Sequence, residues 1–347
     1  MKWLKDFITD FGWPRIIIAL FLMALFIAAP FVGVKLGPSF TDVFNRFGQN
    51  AVMVLALVPM VQAGCGLNFG LPVGIVAGLL GALITMQIGL TGFTGFVVSI
   101  VFTVFFGSLF GWFYAALLNR VKGEEMTISM YIGFSIVMLF SILWLVLPFT
   151  KPTLVMGYAG EGLRRSISLE NYWRHVLNDN ALTIQIGSVI FPTGLILFVA
   201  LCAFFMFIFM RTKTGTAMTA VGSNPDYARA SGVSINKMRT SATIISTIFG
   251  GIGILVYQQS FGFVQVYDAP LFMAFPAISA LLIGGASVNK ASIVNVIIGT
   301  LLFQGMLTMT PSVINSMLQT DMSEVIRIIV SNGMIIYALT RKTKVAK

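Results

Sequence analysis

Charge is scarce in this chain. Only 10% of its 347 residues are Asp, Glu, Lys or Arg, where a soluble globular domain carries roughly 25%, and residues 47–119 hold no formal charge at all. That excludes an ordinary water-soluble enzyme. Histidine is almost absent, His175 being the one copy. The two cysteines, Cys65 and Cys202, lie in apolar segments far from it, without CxxC or Cys/His spacing. They read as core residues, and the sequence offers no metal site and no workable Cys–His or Ser–His–Asp set. A GxxxxGK[ST] phosphate loop is missing, as is any Gly-Lys dipeptide, so ATP is not bound here by that cradle. Paired carboxylates inside the apolar segments are missing as well. Together these absences argue against an enzyme.

Apolar residues make up 57% of the sequence, with 31 Phe, 19 Met and 34 Gly. They come in blocks of roughly 20 residues, the length that crosses a ~30 Å hydrocarbon core. The pattern predicts an all-α, polytopic membrane protein of a single domain over 1–347, with about ten spans near 16–35, 49–65, 71–90, 96–118, 127–148, 187–210, 241–258, 271–286, 292–309 and 324–340. The apolar run Ile16–Val34 is too long for the core of a signal peptide and reads as a retained first span. After the second span, VQAGCGLNFGLPVG carries Gly64, Gly66, Gly70, Pro72 and Gly74. A broken or re-entrant stretch buried in protein is expected there.

With the N-terminus in the cytoplasm, ten spans place both termini inside. Fifteen of the Lys and Arg residues then face inward: Lys2, Lys5, Arg15, Arg120, Lys122, Arg211, Lys213, Arg229, Lys237, Arg239, Lys290, Arg341, Lys342, Lys344 and Lys347. This is the positive-inside bias. The net charge of +10 therefore reports topology and contact with anionic lipid rather than nucleic-acid binding.

Two hydrophilic stretches remain. The external loop 149–186, with Glu161, Arg164, Arg165, Glu170, Arg174 and His175, is either a docking surface or a solvated loop. The cytoplasmic loop 211–240 reads RTKTGTAMTAVGSNPDYARASGVSINKMRT. In it Asn224 can cap a helix of about seven residues that begins with Pro225 and Asp226, and Gly232 can close it in the left-handed conformation. So short a helix is marginal alone and is expected to pack on its own spans or on a partner. Arg229 and Asp226 have little folding value as exposed charges; a partner surface is their sharper use, although Asp226 also suits a helix N-terminus.

The string AVGSNPDYARASGVSINKMR resembles the cytoplasmic coupling loop of ABC importer permeases of the branched-chain amino acid, ribose and nucleoside family. The resemblance rests on Gly222, Asn224, Ala228, Arg229, Ser231 and Gly232, followed by Asn236, Lys237 and Arg239. A second string, AISALLIGGASVNKASIVNVIIGTLL, is similar to that family's Gly-Gly-x-Ser segment through Gly284, Gly285 and Ser287. GLNFGLPVG and NRVKGEEMTISMY are weaker matches, the latter faintly like the nucleoside branch around Glu124 and Glu125. Where sugar permeases tend to carry an Asp after the second span, this chain has Asn68 and Pro72.

The resemblance implies a permease subunit in a bacterial inner membrane, carrying a small neutral solute such as a sugar or nucleoside. Its implied partners are a separate cytoplasmic ATPase holding ATP and Mg, a second permease copy or homologue, and an extracytoplasmic solute-binding protein. No cofactor is expected on this chain. ATPase coupling then falls to Gly222, Asn224, Asp226, Ala228, Arg229, Ser231 and Gly232. Candidates for the translocation path are the membrane amides Gln62, Asn68, Gln87, Gln258, Gln259, Asn295 and Gln304, each of which could instead be interhelical glue. A stand-alone secondary transporter or channel, and a membrane scaffold or receptor, are the alternative classes. A coupled carrier normally shows buried ionisable groups that this chain nearly lacks.

Overall fold

The structure is a computed structural model in which residues 13–121, 123–158, 162–179, 183–318 and 322–340 are described. Lys2, Lys5, Lys122, Arg341, Lys342, Lys344 and Lys347 of the charge count, and Glu161 of the loop, lie outside the described residues. Helices dominate: α1 (Trp13–Ala28) with a 3₁₀ turn at Ala29–Val32, α2 (Leu36–Leu55), α3 (Val58–Gln62), α4 (Leu71–Ile88), α5 (Gly92–Leu118), α6 (Glu125–Val146), α7 (Thr193–Arg211), α8 (Lys213–Ser223), α9 (Pro225–Ala230), α10 (Ile235–Phe261), α11 (Asp268–Phe272), α12 (Ala274–Ile283), α13 (Ile293–Leu318) and α14 (Ser323–Thr340). Among the described residues, seven helices are long and apolar enough to cross a membrane. The other three of the ten expected spans fall on the bent pair α2–α3, on α11–α12 and on α14.

Helix α4 is apolar almost throughout and accordingly buried along most of its length, opening only at Ile84, Gln87 and Ile88. It packs against α5 and α10, and the three form the centre of the bundle. Close approach explains how. A Cβ on Gly74 would come 2.5 Å from the Thr247 carbonyl oxygen, and one on Gly78 2.5 Å from that of Gly251, so α4 and α10 meet backbone to backbone. On α5 the small residues Gly95, Ser99, Thr103, Gly107 and Gly111 recur every fourth position and are buried. Val97, Val101, Phe105 and Phe113 are exposed on the same helix. Such a helix presents its small stripe to neighbours and its bulky residues to lipid.

The broken stretch is present where the glycines require it. Helix α3 ends at Gln62, and Gly64 and Gly66 adopt φ of 71° and 73°, conformations costly for a residue with a Cβ. The chain then runs largely buried to Gly70, and Pro72 opens α4.

Several boundaries differ from expectation. The second span begins at Leu36 rather than 49 and is interrupted between Leu55 and Val58, with Pro59 opening its final turn. The sixth begins at Thr193, not 187, because 184–191 form a hairpin of β4 (Ile184–Ile186) and β5 (Val189–Phe191) and Pro192 stands at the N-cap. The seventh starts at Ile235, six residues before the expected 241, with a polar first stretch, INKMRTS. The expected span 271–286 is two helices of 5 and 10 residues.

Two other short sheets lie in or beside the 149–186 segment: β1 (Gly157–Tyr158) with β2 (Gly162–Leu163), and β3 (Ser166–Ser168) with β6 (Phe263–Gln265). All are antiparallel. The segment is tied down rather than loose: Leu154, Ile167, Leu169 and Trp173 are buried, the His175 N–H donates to the Gln259 carbonyl at 2.7 Å, and the Leu177 N–H to Gln259 Oε1 at 3.1 Å. It therefore caps the end of the bundle remote from α8 and α9. His175 has φ 55° and faces Asp179 Oδ2 at 3.2 Å. No group of three His, Cys, Asp or Glu that could hold a metal occurs among the described residues.

Candidate functional site

At the opposite end, 211–240 folds into α8, α9 and the start of α10. The expected cap on α9 is in place: Asn224 Oδ1 accepts from the Tyr227 N–H at 3.0 Å, and Pro225 supplies the first helical residue. The expected closure is in place too. Gly232 has φ 80°, the Gly232 N–H donates to the Arg229 carbonyl at 3.0 Å, and the Val233 N–H reaches back to Ala228 at 2.9 Å. Ala228 is buried and anchors the helix, while Tyr227 stands 68% exposed. Arg229 and Asp226 sit 3.7 Å apart at the surface, a pair of little worth to folding. Ser231 is the C-cap. A cavity of about 890 Å³ opens beside them, lined by Asp226, Arg229, Val233, Asn236, Glu125 and Arg239 among others.

Helix α8, within the stretch expected to be loop, carries Gly222 against the broken stretch. A Cβ on Gly64 would lie 3.0 Å from the Gly222 Cα, and one on Gly222 would strike the Gln62 carbonyl. From the other side of α9, Arg239 of α10 donates to the Gly64 carbonyl at 3.1 Å and pairs with Glu125, the first residue of α6, at 2.8 Å. These side chains are 17% and 13% exposed, so the pair is screened far less than a surface one. Both flanks of α9 thus close on Gly64. Sequence reasoning did not find this pair. Its signal was a carboxylate and a guanidinium each at the polar edge of an apolar span.

The Gly-Gly-x-Ser segment forms the joint between α12 and α13. Gly284 and Gly299 allow the two backbones to touch, Gly285 has φ 88°, and the Ser287 N–H donates to the Lys290 carbonyl at 2.8 Å.

The candidate path amides are scattered. Gln62 donates to the Ala291 carbonyl. Asn68 is buried between helices, accepting from the Tyr114 hydroxyl of α5 at 2.8 Å and donating to Ser246 Oγ of α10 at 2.9 Å. Gln87 lies near the far end, donating to Thr150 Oγ1 at 2.6 Å. Gln259 holds Leu177 and Asn178. Asn295 donates to the Gly284 carbonyl at 2.7 Å and accepts from the Ser292 hydroxyl at 2.6 Å. Gln304 is buried on α13. Gln258 is buried on α10, and both its amide atoms lack a hydrogen-bond partner among the described residues. Such a group costs about 1–3 kcal/mol if nothing satisfies it. Its amide is therefore free to bond a group that enters the bundle. Beside the broken stretch, Phe69 meets Phe275 of α12 at 5.7 Å between ring centroids.

The sequence profile of the family described as branched-chain amino acid transport system / permease component matches residues 16–339. The chain belongs to this permease family. Among relatives of this permease, the nucleoside ABC transporter permease protein NupB of Lactococcus lactis subsp. cremoris (strain MG1363) is 25% identical over 226 residues, 64% of this chain and 58% of its own. The fructose import permease protein FrcC of Rhizobium meliloti is 28% identical over 120 residues, 34% of this chain and 33% of its own. The guanosine ABC transporter permease protein NupQ of Bacillus subtilis (strain 168) is 33% identical over 89 residues, 26% of this chain and 28% of its own. The permease thus spans less than two thirds of the length of each of these relatives. No solved structure matches it.

Proposed function

We propose that this chain is the membrane-spanning subunit of an ATP-driven importer for a nucleoside or sugar. The observation that carries the reading is α9, a capped helix of six residues, exposed on Tyr227 and Arg229 yet fixed through α8 and Arg239 to a buried break in the bundle. A separate ATPase docks on α9, receiving Arg229 and Asp226, and movement of α9 reaches the path through Gly64. A stand-alone carrier or channel has no use for such a helix. The chain carries out no catalysis itself. ATP and Mg belong to the partner.

On this reading α8 and α9 face the cytoplasm, both termini lie there, and the 149–186 cap faces outward, where a solute-binding protein delivers its cargo. The membrane is the bacterial inner membrane, and a second copy or a homologous permease completes the path. Relatives that carry nucleosides or fructose by name favour a neutral hydroxylated solute, which hydrogen-bonding amides and aromatic rings can hold without ion pairs.

Charge reversal at α9 tests the coupling. Arg229→Glu is expected to leave the protein inserted and folded, because the side chain is exposed and only weakly paired. ATPase recovered with the variant falls sharply, and uptake falls with it. Undiminished association and uptake would contradict the assignment.

A further inference from the structure

At the end of the bundle remote from α9, a cleft of about 520 Å³ opens between α2, the end of α10 and the 149–186 cap. Its position along α10 is measured by Phe261, which lies 22 residues beyond Arg239, about 33 Å at 1.5 Å per residue. The cleft is thus separated from the ATPase end by roughly the thickness of a membrane. Its volume falls within the ~300–1,000 Å³ of small-molecule sites.

The lining is chemically sorted by element. Helix α2 contributes Thr41, Asp42, Asn45, Arg46 and Gln49; the i, i+3, i+7 spacing of Asp42, Asn45 and Gln49 puts these three on one helical face, with the Arg46 guanidinium beside them as a further hydrogen-bond donor. Helix α10 contributes Tyr257 and Phe261, whose rings lie nearly parallel, 22° apart, with centroids at 5.5 Å. The cap contributes Asp179, held by His175 at 3.2 Å. The amides are placed by their neighbours: Asn45 Oδ1 accepts from Asn178 Nδ2 at 3.1 Å, and Gln49 Nε2 donates to Ser260 Oγ at 3.0 Å. These bonds orient Asn45 Nδ2 as a donor and Gln49 Oε1 as an acceptor for something else. Carboxylates and amides in one row recognise hydroxyls, and a pair of aligned rings recognises a planar face.

We propose that this cleft is a recognition site for a nucleoside at the outer mouth of the membrane path. The inference rests on the importer reading. Ribose hydroxyls engage Asp42, Asn45 and Gln49, and the base lies against Tyr257 and Phe261. Neither the sequence nor any relative's name assigns these residues a role. None of the five belongs to the path amides singled out from sequence.

The test uses the complete importer, permease with its ATPase, in lipid nanodiscs, titrated with uridine and followed by saturation-transfer NMR. Saturable binding is expected, and Asn45→Leu and Tyr257→Ala each weaken it by about fivefold or more, the effect of one lost hydrogen bond or ring contact. Glu170→Gln, an exposed carboxylate elsewhere on the cap and outside the cleft lining, leaves it unchanged, and co-purifying ATPase reports that each variant is folded. D-Ribose, lacking the base, binds more weakly than uridine. Absence of saturable uridine binding, binding insensitive to both cleft variants, or ribose binding equal to uridine would each overturn the proposal. Uridine uptake by an importer whose cleft variants bind like the parent would sink the cleft while leaving the importer reading intact. An importer that takes up neither nucleosides nor sugars would remove that reading, and the cleft assignment with it.

Discussion

Replacing Glu125 with Gln removes the charge opposite Arg239 while keeping the shape of the side chain. Breaking a fully buried ion pair by deleting one partner costs about 3–5 kcal/mol. Here the side chains retain 13% and 17% of their exposure and Arg239 keeps the Gly64 carbonyl at 3.1 Å, so the expected cost falls to about 1–3 kcal/mol. Arg239→Met costs more than Glu125→Gln, because it also strips the Gly64 carbonyl of its donor. A double-mutant cycle isolates the pair: with both changes present, the loss should fall short of the sum by about 1–2 kcal/mol. Unfolding free energies from steric trapping in bicelles give the four corners of the cycle. Additivity within about 0.5 kcal/mol would refute the reasoning, since it would mean the two groups do not feel each other.

Other perturbations follow from the same geometry. Gly78→Ala drives a Cβ to 2.5 Å from the Gly251 carbonyl and should destabilise the bundle by about 1–3 kcal/mol, read as a lowered melting temperature in detergent; an unchanged melting temperature would show that α4 and α10 can part there without loss. Asn224→Ala loses the cap of α9 and about 1 kcal/mol, seen as faster amide exchange at Tyr227, while Asn224→Asp keeps slow exchange; equal exchange in both would deny the cap. Asn68→Leu removes the buried hydrogen bonds to the Tyr114 hydroxyl and Ser246, at about 1–3 kcal/mol in all, so folded yield and uptake should fall together. Loss of uptake with full yield would instead place Asn68 on the path.

Much of the bundle was legible because bilayer thickness constrains apolar length so strongly. The break at Gly64–Gly70 and the cap at Asn224 could be read because each rests on local backbone chemistry: left-handed glycines, a side chain bonding the next turn, a proline at the first helical position. What local chemistry does not encode was missed. Nothing near Glu125 or Arg239 in sequence says that they meet, and α8 was hidden in a polar stretch whose helicity depends on packing Met218 and Val221 inward. Thr193 begins a helix later than hydropathy suggests because an apolar run, Ile184–Phe191, spends its residues on a hairpin instead. The path amides were hardest, since burial and polarity alone do not distinguish Asn68, fully bonded between helices, from Gln258, which has partners to seek.

The central claim is that α9 serves a separate ATPase. Affinity purification of this chain from its native membrane in mild detergent, with mass spectrometry of the companions, tests it most directly. The account predicts an ATPase bearing its own phosphate loop, recovered with the parent chain and lost with Arg229→Glu. Recovery of the chain without any ATPase, from a preparation shown to preserve known membrane complexes, would contradict it.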